Sequence, residues 1–381
     1  MFLEKEIIVL GDVEMGCGNL TDDFISDRAL SELIKELSKR RHPVDLIFNG
    51  DTFDFLKCPY FKKNQLVYPR HVTEKISLAK LNLIQHAHSK VFHALRKFIK
   101  VKKHRLYFIF GNHDFDLVYP QVQKKIKSIL ENSKQIHFLE KYRYKTVYVE
   151  HGQQYDFLNK INFQRLFLTY QDERILNLPF TSLGLISKFM EMKEDHPFLE
   201  RIFPRQTLFN LHRPVVKKIT LRTTKFFLKS VLYYPFRYYF DPTYTLQREL
   251  FREFYKRLKK VHWDVDNIVK TFKRKRKRVF KKDHIHILGH IHEKYIEDKD
   301  NKVLIHPGSW RDEYNLNPKT RKLTSRLKRY VQVIIADGNI EYQVIDHPIK
   351  RSTFDFDKVI EDEMKFIKSA AREEKFESVF Y

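Results

Sequence analysis

Five short apolar runs rich in β-branched residues stand out along the chain, and their composition predicts buried strands. They are Ile7 to Leu10, Leu46 to Phe48, Tyr107 to Phe110, Val147 to Val149 and Ile285 to Leu288. Apolar positions at helical spacing predict helices from about Ser26 to Arg40, from Thr73 to Lys100 and from Gln121 to Asn132. Strands that alternate with helices in this way indicate an α/β fold.

A polar motif follows each of these strands. The motifs are Gly11-Asp12-Val13-Glu14, Gly50-Asp51-Thr52-Phe53-Asp54, Gly111-Asn112-His113-Asp114, His151-Gly152 and Gly289-His290-Ile291-His292. Side chains at the ends of neighbouring strands converge on one crevice, so we expect the five motifs to meet. Carboxylate, amide and imidazole groups without a thiolate suit Mn, Fe, Mg or Zn.

This motif series resembles that of the calcineurin-like metallophosphoesterase superfamily, over residues 1–155 and about 283–345. The resemblance implies a four-layer αββα sandwich and two divalent metal ions, with Mn preferred and Mg, Fe or Zn as alternatives. It implies that one ion is held by Asp12, Glu14, Asp51 and His292. It implies that Asp51 bridges to a second ion held by Asn112, His151 and His290.

The resemblance also assigns the acid chemistry. His113 would protonate or stabilise the leaving group, and Asp114 would orient the His113 ring. Asp54 suits the role of a residue that contacts a metal ligand without binding the metal itself. Glu14 stands where the superfamily usually has histidine, and this substitution shifts the first site towards harder ions such as Mn or Mg. Two such ions can clamp a phosphate and activate a water. We therefore expect a hydrolase of phosphate ester or pyrophosphate bonds that acts through metal-bound hydroxide.

The motif series predicts one catalytic domain, 1–155 and 283–350, interrupted by a helical insertion at 156–282 and followed by a charged tail at 351–381 that forms a surface helix or frays. Within the catalytic domain, Lys302 to Ile305 predicts a strand. Val331 to Ala336 and Ile340 to Ile345, joined by Asp337-Gly338-Asn339, predict a hairpin that closes the second sheet.

The insertion carries the information about substrate. Its basic positions Lys218, Arg222, Lys225 and Lys229 recur at helical spacing, and an aromatic cluster from Tyr233 to Phe240 follows. The arrangement is similar to the UDP-2,3-diacylglucosamine pyrophosphohydrolases, which hold acyl chains under a helical cap, and this similarity implies an amphipathic or lipid-linked substrate. An equally weighted alternative is that the aromatic residues form the insertion's own core. Arg311 could contact substrate phosphate, although a surface salt bridge is the favoured interpretation.

The charge favours an anionic partner, because 72 Lys plus Arg against 48 Asp plus Glu leave a net charge of +24. An anionic membrane surface fits, as does nucleic acid, and the basic tract from Lys273 to Arg278 does not choose between them. No nucleic-acid-binding signature is present, which leaves a Mn-dependent nuclease as the weaker alternative. A catalytically silent scaffold is the other alternative. Without an apolar run of eighteen residues or a leader, and with only Cys17 and Cys58, the chain is expected to be cytoplasmic and able to associate peripherally with a membrane.

Overall fold

A computed structural model of the chain describes residues 3–63, 65–131, 134–245 and 265–376. Two mixed sheets form its centre. The first has the order β18-β17-β1-β2-β5-β6, with the bounds β1 Leu3–Leu10, β2 Val44–Phe48, β5 Arg105–Ile109, β6 Ile136–Leu139, β17 Lys328–Ala336 and β18 Asn339–His347. The second has the order β13-β14-β12-β8-β7, with the bounds β7 Lys141–Tyr144, β8 Val147–Glu150, β12 Ile285–Leu288, β13 Tyr295–Lys299 and β14 Lys302–His306.

The strands at the centre of both sheets are parallel, which brings their carboxyl ends to the same edge. In the first sheet β1, β2, β5 and β6 run parallel, and in the second β8, β12 and β14 do so. Each of the five strands predicted beside a motif is present. Parallel central strands are buried on both faces, which explains their unbroken apolar runs.

The helices of the first half follow the strands in alternation. They are α1 Asp27–Leu37, α2 Glu74–Ala87, α3 Ser89–Ile99 and α4 Pro120–Ile129. The helix predicted from Thr73 to Lys100 is therefore two helices, which part at His88. The His88 ring lies between two carboxylates, with Nδ1 2.7 Å from Asp27 Oδ1 and Nε2 3.0 Å from Asp22 Oδ2.

Three groups of buried side chains show how these elements pack. One group joins α1, α3 and α4 to the first sheet, and a second joins residues of the two sheets, such as Ile7 of β1 and Ile287 of β12. A third group packs Ile268 and Phe272 against residues of the second sheet. These contacts confirm the predicted α/β class, and the finer four-layer description stays a prediction.

The predicted insertion contains more than helices. Its helices are α5 Phe180–Gly184, α6 Met190–Asp195, α7 Arg205–Leu211, α8 Arg213–Arg237, α9 Val265–Lys275 and α10 Lys277–Lys282. It also has the strands β9 Phe167–Tyr170, β10 Glu173–Leu176 and β11 Ile202–Phe203. Residues 246–264 of the predicted insertion lie outside the described residues. No helix in the described ranges is both long and apolar enough to cross a membrane.

One prediction about the C-terminal part needs correction. The predicted hairpin is β17 and β18, and it joins β1 in the first sheet, because β17 pairs with β1 along its length. The tail contains β19 Phe354–Asp355, α11 Phe356–Glu361 and α12 Glu363–Glu373, and apolar side chains such as Ile367 on one side of these helices pack into a buried cluster. In that region β19 pairs with β16 Lys322–Ser325, β16 with β15 Tyr314–Leu316, and β15 with β11. A small hairpin, β3 Tyr60–Lys62 and β4 Gln65–Val67, completes the strands.

Candidate metal centre

The five motifs meet at the carboxyl ends of the central strands. Glycines make this convergence possible, because a side chain at their positions would collide with the next motif. A Cβ on Gly111 would lie 2.0 Å from Oδ1 of Asp51, and a Cβ on Gly50, whose φ is +76°, would lie 2.3 Å from Cγ of His151. The motifs thus approach one another as closely as backbone allows.

Three of the predicted ligands hold a backbone conformation that side chains rarely adopt. Glu14, Asp51 and His290 have φ values of 55°, 47° and 71°. Left-handed conformations at non-glycine residues concentrate at functional sites, where the surrounding structure enforces them. Their occurrence in three separate motifs supports a functional role for this crevice.

Asp51, His151 and His290 form a candidate group for an ion, with one ligand atom of each within 4.8 Å of the others. Nδ1 of His151 lies 2.7 Å from the carbonyl oxygen of Asn49, so that nitrogen donates its proton there. Nε2 then faces Oδ2 of Asp51 at 3.1 Å. A lone pair opposite a carboxylate is unfavourable unless a cation lies between them, as a metal ion would.

Two buried atoms beside this group support the same conclusion. Within the described ranges, Oδ1 of Asn112 and Nε2 of His151 accept or donate no hydrogen bond although both are buried. An unpaired buried polar group carries a cost that a bound ion would remove. Burial lowers the pKa of His151, but Asp51 and Asp12 raise it to about 10, so an ion that binds Nε2 competes with a proton there.

The two histidines of the last motif are held by carboxylates that the sequence did not single out. Nε2 of His290 lies 3.2 Å from Oδ2 of Asp156, which leaves Nδ1 for an ion. Nδ1 of His292 lies 2.7 Å from Oε1 of Glu313, which leaves Nε2, 3.7 Å from Oδ1 of Asp12. Carboxylates in this position fix the ring and its tautomer.

The prediction that Asp114 orients His113 is wrong, because the carboxylate that contacts the His113 ring belongs to Asp54. Nδ1 of His113 lies 3.0 Å from Oδ1 of Asp54. The two oxygens of Asp114 instead accept the backbone N–H groups of Gly111 and Thr52, each at 2.7 Å. Asp114 follows His113 in the chain, but its side chain turns back to hold the loop. Burial and the charge of Asp51 raise the pKa of Asp114 to about 7.

Neighbouring carboxylates determine the protonation state of His113. Burial lowers its pKa, but Glu14 and Asp54 raise it to about 10. Asp51 accepts the backbone N–H of His113 at 2.7 Å, which ties this residue to the predicted bridging ligand. With Nδ1 held by Asp54, Nε2 is the nitrogen available to a substrate.

Glu14 is brought to the crevice together with two cations. Nζ of Lys57 lies 3.0 Å from its Oε2, and Nη1 of Arg311 lies 3.3 Å from its Oε1. Burial raises the pKa of Glu14, but Arg311 and Lys57 hold it well below its usual range. Arg311 is 4% exposed, so the expected surface salt bridge is wrong, and the guanidinium contacts buried carboxylates. Lys57 was missed, and only its place six residues after Asp51 could have suggested it.

The four basic residues predicted to contact substrate all lie on α8. Lys218 and Arg222 both pair with Asp195, at 2.9 and 3.5 Å, and Lys225 and Lys229 are exposed on α8. The basic tract is also divided: it spans the end of α9 and the start of α10, and Arg276 donates to the hydroxyl of Tyr155.

An apolar cavity of about 340 Å³ opens beside His113 and Asn112. Its remaining lining comes mainly from the insertion. The apolar lining side chains are Leu56, Leu158, Phe180, Leu185, Phe189 and Phe226. A volume of this size is at the lower end of the ~300–1,000 Å³ that small-molecule sites occupy. The predicted reacting group thus stands at the mouth of a space suited to an apolar group.

Comparison with known families agrees with the site. The sequence profile of the family described as calcineurin-like phosphoesterase matches residues 5–294. That range contains all five motifs and the whole of the predicted insertion. A comparison with curated proteins gave no match to this chain.

Proposed function

Because the chain belongs to the calcineurin-like phosphoesterase family, and is thus a metal-dependent phosphoester hydrolase, we propose that it cleaves the phosphate ester or pyrophosphate bond of a substrate with an apolar group. The observation that carries this proposal is the apolar cavity beside His113.

The geometry supports a set of proposed ligands. Asp51, Asn112, His151 and His290 would hold one ion, and Asp12, Asp51 and His292 would hold the other, with Glu14 beside them. Manganese suits this mixture of carboxylate, amide and imidazole ligands. Two such ions would polarise the phosphate and supply an activated water for in-line displacement.

The chain's own residues would handle the leaving group. Asp54 holds Nδ1 of His113, so the proton on Nε2 can pass to the departing oxygen. His113 lines the cavity, and a leaving group that receives this proton would therefore extend along Phe180 and Phe226, whose rings pack against each other. Its apolar lining would exclude water from the departing group and favour alkyl or acyl chains over a second charged group.

Hydrolysis of alkyl phosphates of increasing chain length tests this proposal. Each buried methylene contributes about 0.8 kcal/mol, so kcat/KM should rise roughly fourfold per carbon until the cavity is full. The assay uses Mn-loaded wild-type protein and measures the release of phosphate. Equal kcat/KM for methyl and octyl phosphate would contradict the apolar substrate class.

Two neighbouring threonines of α8 offer a matched pair of variants. Thr223 lines the cavity, whereas Thr224 is exposed on the outside of the same helix. Thr223→Phe should fill the cavity and abolish the dependence on chain length while methyl phosphate is still hydrolysed. Thr224→Phe should behave as wild type.

The outer face of α8 supports a membrane as the source of such a substrate. Leu221, Leu228, Leu232 and Phe236 are 52, 55, 70 and 72% exposed, at spacings that place them on one side of the helix. Lys225 and Lys229 lie on the same side and are also exposed. Apolar side chains between lysines suit an anionic lipid surface, where the rings and leucines enter the acyl boundary and the lysines meet headgroups. Peripheral association with such a membrane is therefore part of the proposal.

A further inference from the structure

A lysine ammonium stands inside a carboxylate cluster next to the metal centre. Nζ of Lys57 lies 3.0 Å from Glu14, 2.8 Å from Asp23 and 3.0 Å from Asp54. By distance alone these three carboxylates could hold a metal ion. The Lys57 side chain is only 2% exposed. The protein's own cation therefore fills a position that the carboxylates would otherwise offer to a divalent ion.

Arg311 engages the other oxygen of Glu14. Its Nη1 lies 3.3 Å from Oε1 of Glu14, and its Nη2 lies 2.7 Å from Oδ2 of Asp23. Both oxygens of Glu14 thus face a buried, fixed cation. A carboxylate that already neutralises two cations attracts a third positive charge weakly, because the cations repel the incoming ion at short range.

The proposed ligands on the opposite side of Asp51, which are Asn112, His151 and His290, differ from Glu14 in their contacts. The ring of His151 is aligned by Asn49, and that of His290 by Asp156. Within the part of the chain that the structure describes, Nε2 of His151 and Oδ1 of Asn112 make no hydrogen bond. No cationic side chain has to be displaced from these atoms before an ion binds.

From this contrast we propose that the metal centre is unequal: the group of Asp51, Asn112, His151 and His290 binds its ion tightly, whereas Lys57 and Arg311 keep Glu14 as a structural anion and leave the ion beside Asp12 and His292 loosely bound and exchangeable. The proposal rests on the metal-dependent function proposed above. Outer partners of metal ligands change affinity by about 10–100-fold, and withholding a ligand should cost at least as much.

Equilibrium dialysis of metal-stripped wild-type protein against graded Mn²⁺, with bound metal counted by elemental analysis, tests the inequality. We expect one ion per chain to bind first and the second to bind at a concentration at least about 100-fold higher. Uptake of two ions in a single step would overturn the proposal and leave the hydrolase function intact. Uptake of no ion would contradict the proposed function itself.

Two lysines of one network separate the role of Lys57 from a general charge effect. Lys193 also contacts Asp23, at 2.6 Å, and Glu200, at 3.0 Å, but no contact joins it to Glu14 in the described structure. Lys57→Met should move the weaker uptake to a Mn²⁺ concentration about 10–100-fold lower, or add an ion in the freed cluster. Lys193→Met should leave the binding curve unchanged. An unchanged curve for Lys57→Met, or the same shift for both variants, would refute the role of Lys57.

A variant of Glu14 keeps the test decisive if Lys57→Met does not fold. Glu14→Asp keeps the negative charge that faces Lys57 and Arg311 and withdraws the carboxylate by one methylene. If Glu14 is a structural anion, the affinity for the weaker ion should stay as in wild type, and the cost should appear as a lower free energy of unfolding. Loss of that affinity by a factor of about ten or more would identify Glu14 as a ligand and reject the proposal.

Discussion

Nδ1 of His113 lies 3.0 Å from Oδ1 of Asp54, a residue fifty-nine positions earlier in the chain. Asp54 is 1% exposed and also contacts Lys57 at 3.0 Å. The ring is thus fixed by a carboxylate that is itself held in place. This contact defines which nitrogen of His113 faces the substrate.

Asp54→Asn should lower kcat by about 10–100-fold, because the neutral amide orients the ring less firmly and no longer stabilises its charged form. The bound metal should be unchanged, because Asp54 lies behind the proposed ligands. Steady-state kinetics together with metal analysis check this. A kcat equal to that of wild type would show that Asp54 does not orient His113 for catalysis.

Asp114→Asn should act on stability. Asp114 accepts two buried backbone N–H groups, and an amide can accept only one of them without turning its NH₂ group towards the other. A buried donor left unpaired costs about 1–3 kcal/mol. Urea unfolding of the metal-free protein measures the change. Unaltered stability combined with a loss of kcat would restore the predicted role of Asp114 in orienting His113.

The buried pair of carboxylates around His88 predicts a dependence of stability on pH. Burial lowers the pKa of His88, but Asp27 and Asp22 raise it to about 10. Because the pKa is higher in the folded than in the unfolded chain, the protonated ring stabilises the fold fully below about pH 6.5. That contribution is lost as the pH rises through about 10.

His88→Gln removes this contribution. The difference in free energy of unfolding between wild type and His88→Gln should therefore shrink from pH 7 to pH 9, by up to about 1.4 kcal/mol per pH unit. His86→Gln, at an exposed position of the preceding helix, is the control and should show no such trend. A difference that stays constant with pH would mean that His88 is neutral in the folded protein.

The outer face of α8 predicts binding to anionic vesicles. Replacing Leu228 and Leu232 together by Ser removes two of the most exposed apolar side chains of the row. The binding constant for vesicles of phosphatidylcholine with about one third phosphatidylglycerol, measured by sedimentation, should fall at least about tenfold. The reason is that each leucine contributes roughly 1.5–3 kcal/mol when fully buried. Leu66 and Leu327, which are 54 and 44% exposed elsewhere, supply the control pair. Equal loss in both double variants would argue against a specific membrane face.

The strands and the residues at their ends could be predicted because each motif is local. A β-branched run followed by glycine and a polar residue contains its own signal, and all five motif strands were confirmed. The residues that orient the ligands carry no such signal. Asp156 acts on His290 from 134 positions away, and Glu313 acts on His292 from 21. Only the folded chain shows which carboxylate reaches which ring.

The same limit applies to the insertion and the tail. Helical spacing on α8 predicted a basic stripe, but spacing cannot show which side of a helix is exposed, and Leu228 and Leu232 share the outer side with Lys225. In the tail, the many charged residues of the sequence made it difficult to recognise the apolar side of α12, which includes Ile367. Only the folded structure shows that Ile367 is buried against distant elements and that Leu228 and Leu232 are exposed.

We propose that this crevice catalyses metal-dependent hydrolysis at a phosphate and that Asp51 is the ligand shared by the two ions. The most direct measurement is hydrolysis of an aryl phosphomonoester and an aryl phosphodiester by metal-stripped protein, before and after addition of Mn²⁺, Mg²⁺ or Zn²⁺, with Asp51→Ala as control. We predict that at least one ion restores turnover in wild type and none restores it in Asp51→Ala. Equal turnover in the two proteins, or no turnover of these esters and of the alkyl phosphates with any ion, would contradict the account.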